Sequence, residues 1–164
     1  MFDLELKKRS AKIIEILKEK QIKIAVAESC SGGLLSALIT EIAGASEVFD
    51  RGFITYSNQS KIDLLGVKKE TLDSFGAVSS EVALQMAQGA INNSLAKISV
   101  SITGIAGPDG GSNEKPVGLV FIAIGSKNCA CKKFQFSGNR DKIRLSSVAA
   151  ALEMLQNEAS LADF

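Results

Sequence analysis

IKIAVAESCSGGLLSALIT, residues 22–40, changes structural period within a single turn. Ile22, Ile24 and Val26 alternate as the residues of a strand do. After SCSGG the apolar residues crowd together as LLSALI, the pattern of a helix. A strand that passes through a Ser/Gly turn directly into a helix is the opening of an α/β unit. In such folds ligands sit where the strand's C-terminal end meets the helix's N-terminus. The stretch therefore sets the fold class and puts Ser29, Cys30 and Ser31 where chemistry belongs.

Working outward, residues 4–20 carry Leu6, Ile13, Ile14 and Leu17 on one helical face with charges elsewhere, a surface helix. A Gly-Ala-Ser turn at 44–46 leads into RGFITYS (51–57), a second strand, and Ser57 or Asn58 caps a short helix through Lys61 to Leu65. KKETLDSF (68–75) is another short helical piece. Ser79 caps a longer helix in which Val82, Ala83, Met86, Ala87, Ala90 and Ile91 recur with a 3.6 period. ISVSITG (98–104) alternates again and ends in IAGPDGGSNEKPVG, too rich in Gly and Pro for a regular element. That loop is either a lid or wall over a site or a plain surface excursion. VGLVFIAIG suits a central strand, SKN (126–128) is a tight turn, and ACKKFQF returns antiparallel and more exposed. From Asn139 a last helix carries Leu145, Val148, Ala149, Leu152 and Leu155 inward. These elements make an α/β fold, a three-layer α/β/α sandwich around a mixed, mostly parallel sheet. We read it as one domain over residues 1–164, without internal repeat or linker.

Composition excludes several function classes. The formal net charge is +1 and the lysines are scattered among acids, so no basic tract marks a nucleic-acid partner. The N-terminal stretch breaks its apolar residues with charges, unlike a signal peptide, and no run reaches membrane-spanning length. A cytoplasmic protein with no membrane partner is expected. The three cysteines, Cys30, Cys129 and Cys131, have no framework spacing and fit a reducing compartment. A CxC pair could supply half a metal site, but the chain has no histidine to complete one. The expectation is no metal and no cofactor.

The absence of histidine also rules out a Ser-His-Asp triad or a Cys-His pair within the chain. A serine nucleophile here needs lysine, tyrosine or a carboxylate. TYSNQSK (55–61) puts Tyr56 at a strand's end and Lys61 in the next helix's first turn. Lysine is a base only when burial or positive potential lowers its pKa of about 10.4. Lys61 is then either that base, if the fold brings it beside Ser29, or a solvated surface lysine. Ser31 has the position of an N-cap. The backbone N–H groups of Cys30, Ser31, Gly32 and Gly33 are placed to hold an oxyanion or a phosphate. Cys30 is the rival nucleophile. Residues leaving a strand alternate in direction, which assigns Ser29 to the site and packs Cys30 inward. Glu28 is either a base or orienting group, or a structural acid bonded to nearby backbone. Thr103 and Gly104 end a central strand and are placed for substrate contact. Arg140 and Arg144, four apart, share a helix face and suit a phosphate or carboxylate, or simply lie on the surface.

AESCSGG, DRGFITYSNQSK, GAVSSE, SITGIAGPDGGSNEKPVG and SGNR, in this order, resemble the CinA C-terminal domain family over about residues 8–158. The chain is similar to the family's stand-alone members of the nicotinamide mononucleotide deamidase type. The resemblance implies hydrolysis of the carboxamide of that nucleotide to nicotinate mononucleotide and ammonia, in pyridine-nucleotide recycling and without a metal. It also implies a homo-oligomer. On matching positions the family's nucleophile falls on Ser29, its lysine on Lys61 and its tyrosine on Tyr56. Ser31 departs from the threonine usual there but keeps the hydroxyl. Neutral Lys61 is then expected to take the Ser29 proton, directly or through Tyr56, with Arg140 at the phosphate and Thr103 and Gly104 near the ribose or amide. Two other readings stand beside this one: a nucleotide-binding regulatory module without turnover, and an amidase acting on a different amide.

Overall fold

The computed structural model describes residues 2–127 and 129–162. Five strands, β1 (Ile24–Glu28), β2 (Phe49–Ile54), β3 (Ile98–Gly104), β4 (Leu119–Gly125) and β5 (Ala130–Gln135), form one sheet in the order β2-β1-β3-β4-β5. β1 pairs in parallel with both β2 and β3, whereas β4 runs antiparallel to β3 and β5 antiparallel to β4. The sheet is thus mixed, and β4 alone runs against the other strands. Asn128, the last residue of the turn expected at SKN, lies outside the described residues.

Six helices cover the two faces: α1 (Leu4–Glu19), α2 (Leu34–Thr40), α3 (Asn58–Leu65), α4 (Lys69–Phe75), α5 (Ser80–Asn92) and α6 (Arg140–Leu161). α1, α2 and α6 pack together on one face, and α5 covers the other with α3 and α4 against it. Strand alternation feeds both layers. Ile24 and Val26 of β1 enter the core beneath α1, α2 and α6, and Ala25 and Ala27 enter the core beneath α5. The sheet meets α5 through alanines, Ala25, Ala27 and Ala123 among them, and buried hydroxyls tie the two together. Ser99 Oγ donates to the Ala87 carbonyl (2.7 Å) and Ser101 Oγ to that of Ala83 (2.6 Å). Gly89 of α5 touches the end of α3 so closely that a Cβ there would lie 2.0 Å from the Leu65 carbonyl oxygen.

Besides the start of α2, described with the site, β2 and α6 differ from the sequence expectation. β2 begins at Phe49 and ends at Ile54, because its pairing with β1 runs out at Glu28 opposite Ile54. Thr55 makes one last bond to β1, its N–H to the Glu28 carbonyl (2.8 Å), and from Tyr56 the chain heads for α3. In α6, Leu145 and Ala149 are only half-buried beside α1, while Ile143, Ser147, Val148, Ala151, Leu152 and Leu155 face inward. The chain leaves β1 toward β2 on one side and later returns to β3 on the other. That reversal opens a crevice beyond the C-terminal ends of β1 and β3, the usual ligand position in an open α/β sheet.

Candidate active site

The crevice is a cleft of about 260 Å³ whose lining includes Ser29, Cys30, Tyr56, Lys61, Thr103 and Arg140. β1 delivers Ser29, whose N–H bonds to the Ile102 carbonyl of β3 (2.9 Å) and fixes it at the junction of the two strands. Lys61 arrives from α3, which begins where the sequence places it: Ser57 Oγ caps the Ser60 N–H at 3.0 Å. The helix sits with the Lys61 stem inside the protein, so the residue is only 1% exposed. Its Nζ reaches the Thr55 carbonyl (2.8 Å) and Ser29 Oγ (3.1 Å).

A buried ammonium is normally held by a carboxylate. The nearest acid in sequence to Ser29, Glu28, is also fully buried, but its carboxylate faces the other way. Oε2 accepts the N–H groups of Gly33 and Leu35 (both 3.1 Å); Oε1 accepts the Ser36 N–H (2.9 Å) and hydroxyl (2.8 Å). Glu28 is thus the acid that closes the N-terminus of α2, the structural alternative raised from the sequence. Without a carboxylate beside it, Lys61 meets the full cost of desolvation, which pushes its ammonium down to about 8.

The cap expected from Ser31 is not made. Gly32 and Gly33 both have left-handed backbone (φ 59° and 93°), and α2 starts only at Leu34. The extra turn carries the Ser31 hydroxyl away from the helix amides. It is buried without a hydrogen-bond partner, and Glu28 takes its place. Nor do all the expected amides remain open. Gly32 N–H donates to the Ser29 carbonyl (3.0 Å) and Gly33 N–H to Glu28, and Ser31 is fully buried outside the cleft, so of the stretch that follows Ser29, Cys30 is the residue that lines it. Neither glycine lines the cleft.

Cys30 lines the cleft but is 6% exposed and packs into the core beneath α6. Burial pushes its thiol up to about 11, so at neutral pH it is the unreactive protonated form. Tyr56 is exposed, and its hydroxyl accepts from Arg140 Nη2 (2.9 Å), while Arg140 Nη1 donates to the Gly107 carbonyl (2.7 Å). Arg140 thereby pins the 105–118 loop to the mouth of the cleft. Thr103 Oγ1 gives its proton to the Ala77 carbonyl (2.8 Å), so toward a ligand it can only accept. Gly104 has a packing reason to be glycine, since a Cβ there would lie 2.7 Å from the Leu119 carbonyl oxygen.

Sequence reasoning missed the Thr55 carbonyl as the anchor of Lys61, and Asn58 and Asp109 in the lining. The carbonyl carries no residue-type signal at all. Among the described residues, no group of three or more His, Cys, Asp or Glu is arranged to hold a metal, and no helix is long and apolar enough to cross a membrane.

This chain has clear relatives. The sequence profile described as CinA C-terminal domain matches residues 6–159. A CinA-like protein of Syntrophobacter fumaroxidans is 54% identical over 142 residues, which cover 86% of this chain and 34% of that protein. The chain thus spans about a third of the length of several curated relatives it matches. The nicotinamide-nucleotide amidohydrolase PncC of Escherichia coli is 46% identical over 157 residues, 94% of this chain and 95% of that protein. The crystal structure of the competence/damage inducible protein CihA from Agrobacterium tumefaciens superposes with a TM-score of 0.93 at 47% identity, covering 96% of this chain and 98% of the other. With matches of this extent, the chain belongs to the CinA C-terminal domain family.

Proposed function

We propose that the cleft hydrolyses the carboxamide of nicotinamide mononucleotide, giving nicotinate mononucleotide and ammonia, with Ser29 as nucleophile and Lys61 as base. The observation that carries the mechanism is the 3.1 Å contact between Lys61 Nζ and Ser29 Oγ in a buried setting with no paired carboxylate. The substrate rests on the PncC relatives, which match this chain over nearly their whole length.

With a pKa of about 8, about a tenth of Lys61 is neutral at pH 7, against less than about one part in a thousand for an ordinary lysine. The neutral amine accepts the Ser29 proton directly, so a relay through Tyr56 is unnecessary. Ser29 Oγ bonds to the amide carbon, and the carbonyl oxygen becomes an oxyanion for which the backbone at Cys30, the residue after the nucleophile in the cleft lining, is the donor we assign. Lys61, now an ammonium, returns the proton to the departing nitrogen, and the C–N bond breaks to release ammonia. Water then gives its proton to Lys61 and cleaves the acyl-serine, restoring Ser29 and leaving the carboxylate. Arg140, at the mouth with Tyr56, is the cation we assign to the phosphate.

The same reading carries a homo-oligomer in the cytoplasm; exposed Ile54, Leu64 and Phe75 supply apolar surface for the assembly. The function is tested by ammonia release from nicotinamide mononucleotide by wild type, Ser29→Ala and Cys30→Ala with chelator throughout. Loss confined to Ser29→Ala supports the reading. Turnover by Ser29→Ala, or none by wild type, overturns it.

A further inference from the structure

Asp109 lines the cleft and takes no part in the proposed hydrolysis. Among the described residues the charged side chains of that lining are Lys61, Asp109 and Arg140, so Asp109 is its single carboxylate. Lys61 is buried at the floor, whereas Asp109 is exposed. Two residues before it, the Gly107 carbonyl accepts from Arg140 Nη1 (2.7 Å), which keeps Asp109 within about 7 Å of chain from that contact. Yet Asp109 forms no ion pair with Arg140 or with any other cation among the described residues. The Arg140 guanidinium is turned instead to Gly107 and to the Tyr56 hydroxyl. A carboxylate left bare beside the cation assigned to a phosphate weakens the binding of that phosphate, unless the same ligand brings a positive charge of its own.

The 105–118 loop is built to hold Asp109 in place. Its two arms are tied by Gly118 N–H on the Ile105 carbonyl (2.8 Å), and its tip is closed by Ser112 N–H on the Lys115 carbonyl (2.8 Å). The arms touch closely enough that a Cβ on Gly107 would lie 2.6 Å from Val117 Cγ1 and one on Gly111 2.8 Å from the Val117 nitrogen. Arg140 fastens one side of the loop to α6, and Lys115 Nζ fastens the other to the Phe75 carbonyl at the end of α4. We infer that Asp109 is the residue that selects for the charge of the ring: its carboxylate faces the pyridinium of bound nicotinamide mononucleotide and favours this oxidised, cationic form over the reduced, neutral dihydropyridine.

Charge order supplies the link. The nucleotide presents an uncharged carboxamide, then a ring with a fixed positive charge, then a negative phosphate. The cleft presents Ser29 with Lys61, which must be neutral to act, then a carboxylate and a guanidinium close together at Asp109 and Arg140. In the ligand the two opposite charges are separated only by the ribose and its methylene, and in the protein Asp109 and the Gly107 contact with Arg140 are separated only by Pro108. Complementary potentials of this kind discriminate between ligands of one shape and different charge. The reduced nucleotide keeps the carboxamide, ribose and phosphate and lacks only the ring charge, so it isolates what Asp109 contributes.

This inference rests on the substrate assignment proposed above, and its test separates the two. Dissociation constants of nicotinamide mononucleotide and of its reduced form are measured by calorimetry in Ser29→Ala, with position 109 left as aspartate or changed by Asp109→Asn or Asp109→Glu. With the aspartate in place, the oxidised form is expected to bind about 10-fold more tightly than the reduced one. Asp109→Asn should weaken the oxidised form by about 5- to 20-fold and the reduced form by less than about twofold, and Asp109→Glu should keep most of the preference. Added salt should narrow the gap between the two forms when the aspartate is present and leave it unchanged in Asp109→Asn, since the phosphate contribution cancels in the ratio. Equal weakening of both forms would put Asp109 on the part they share, the ribose, and overturn the inference; so would unchanged binding of both. If the aspartate protein binds neither form, the substrate assignment fails and the inference falls with it.

Discussion

Replacing Lys61 by methionine should make the protein inactive and, at neutral pH, more stable. A lysine that titrates at 10.5 when unfolded and at about 8 when folded costs about 3 kcal/mol of stability at pH 7. Methionine fills a similar volume without a charge, and loses the hydrogen bond to the Thr55 carbonyl, worth about 1 kcal/mol. The net gain at pH 7 is then about 2 kcal/mol. Its pH dependence is the more discriminating quantity. Below pH 8 lysine is protonated in both states and the cost is constant. Between 8 and 10.5 the unfolded chain keeps a proton that the fold has released, so wild-type stability rises with pH, and above 10.5 the cost is gone. From pH 7 to 9.5 the advantage of Lys61→Met should shrink by about 2 kcal/mol. Urea unfolding of both proteins at the two pH values measures this directly, since the other titrating groups cancel in the difference. A difference that stays constant with pH, or widens in favour of the variant, would refute the idea that Lys61 is a desolvated and unpaired base.

Three further outcomes follow from the geometry. Glu28→Ala strips the acceptors from three amides and a hydroxyl at the start of α2, and should destabilise the protein by about 3 kcal/mol or more in denaturant titration. Cys30, with its thiol near 11 and only 6% exposed, should resist iodoacetamide at pH 7.5 while exposed Cys129 is alkylated, which peptide mass mapping reads. Gly89→Ala forces a Cβ against the Leu65 backbone and should lower Tm by several degrees, although α5 would gain helix propensity from alanine.

What could be read from the sequence followed the range of the interactions involved. The caps at Ser57 and Ser79 are made as expected, because each side chain bonds an amide three residues ahead. Strand period and helix stripe placed every element within a few residues for the same local reason. At Ser31 the same rule failed: two left-handed glycines moved the helix start, and the acid that caps it lies five to eight residues before its donors. The Lys61 contact with Ser29 spans 32 residues and exists only because β1 and β2 pair side by side. The absence of histidine raised the question of a lysine base, yet only the sheet could bring the two groups together. Arg144 reaches the Cys30 and Ser31 carbonyls across more than a hundred residues, and backbone acceptors leave no mark in the residue types.

The most direct test of Lys61 as the base is the pH dependence of kcat/KM for ammonia release from nicotinamide mononucleotide. Activity that requires the neutral amine should rise tenfold per pH unit below about 8 and level off above it. A rate that is flat from pH 6 to 9, or that falls as Lys61 loses its proton, would contradict a neutral Lys61 acting on Ser29.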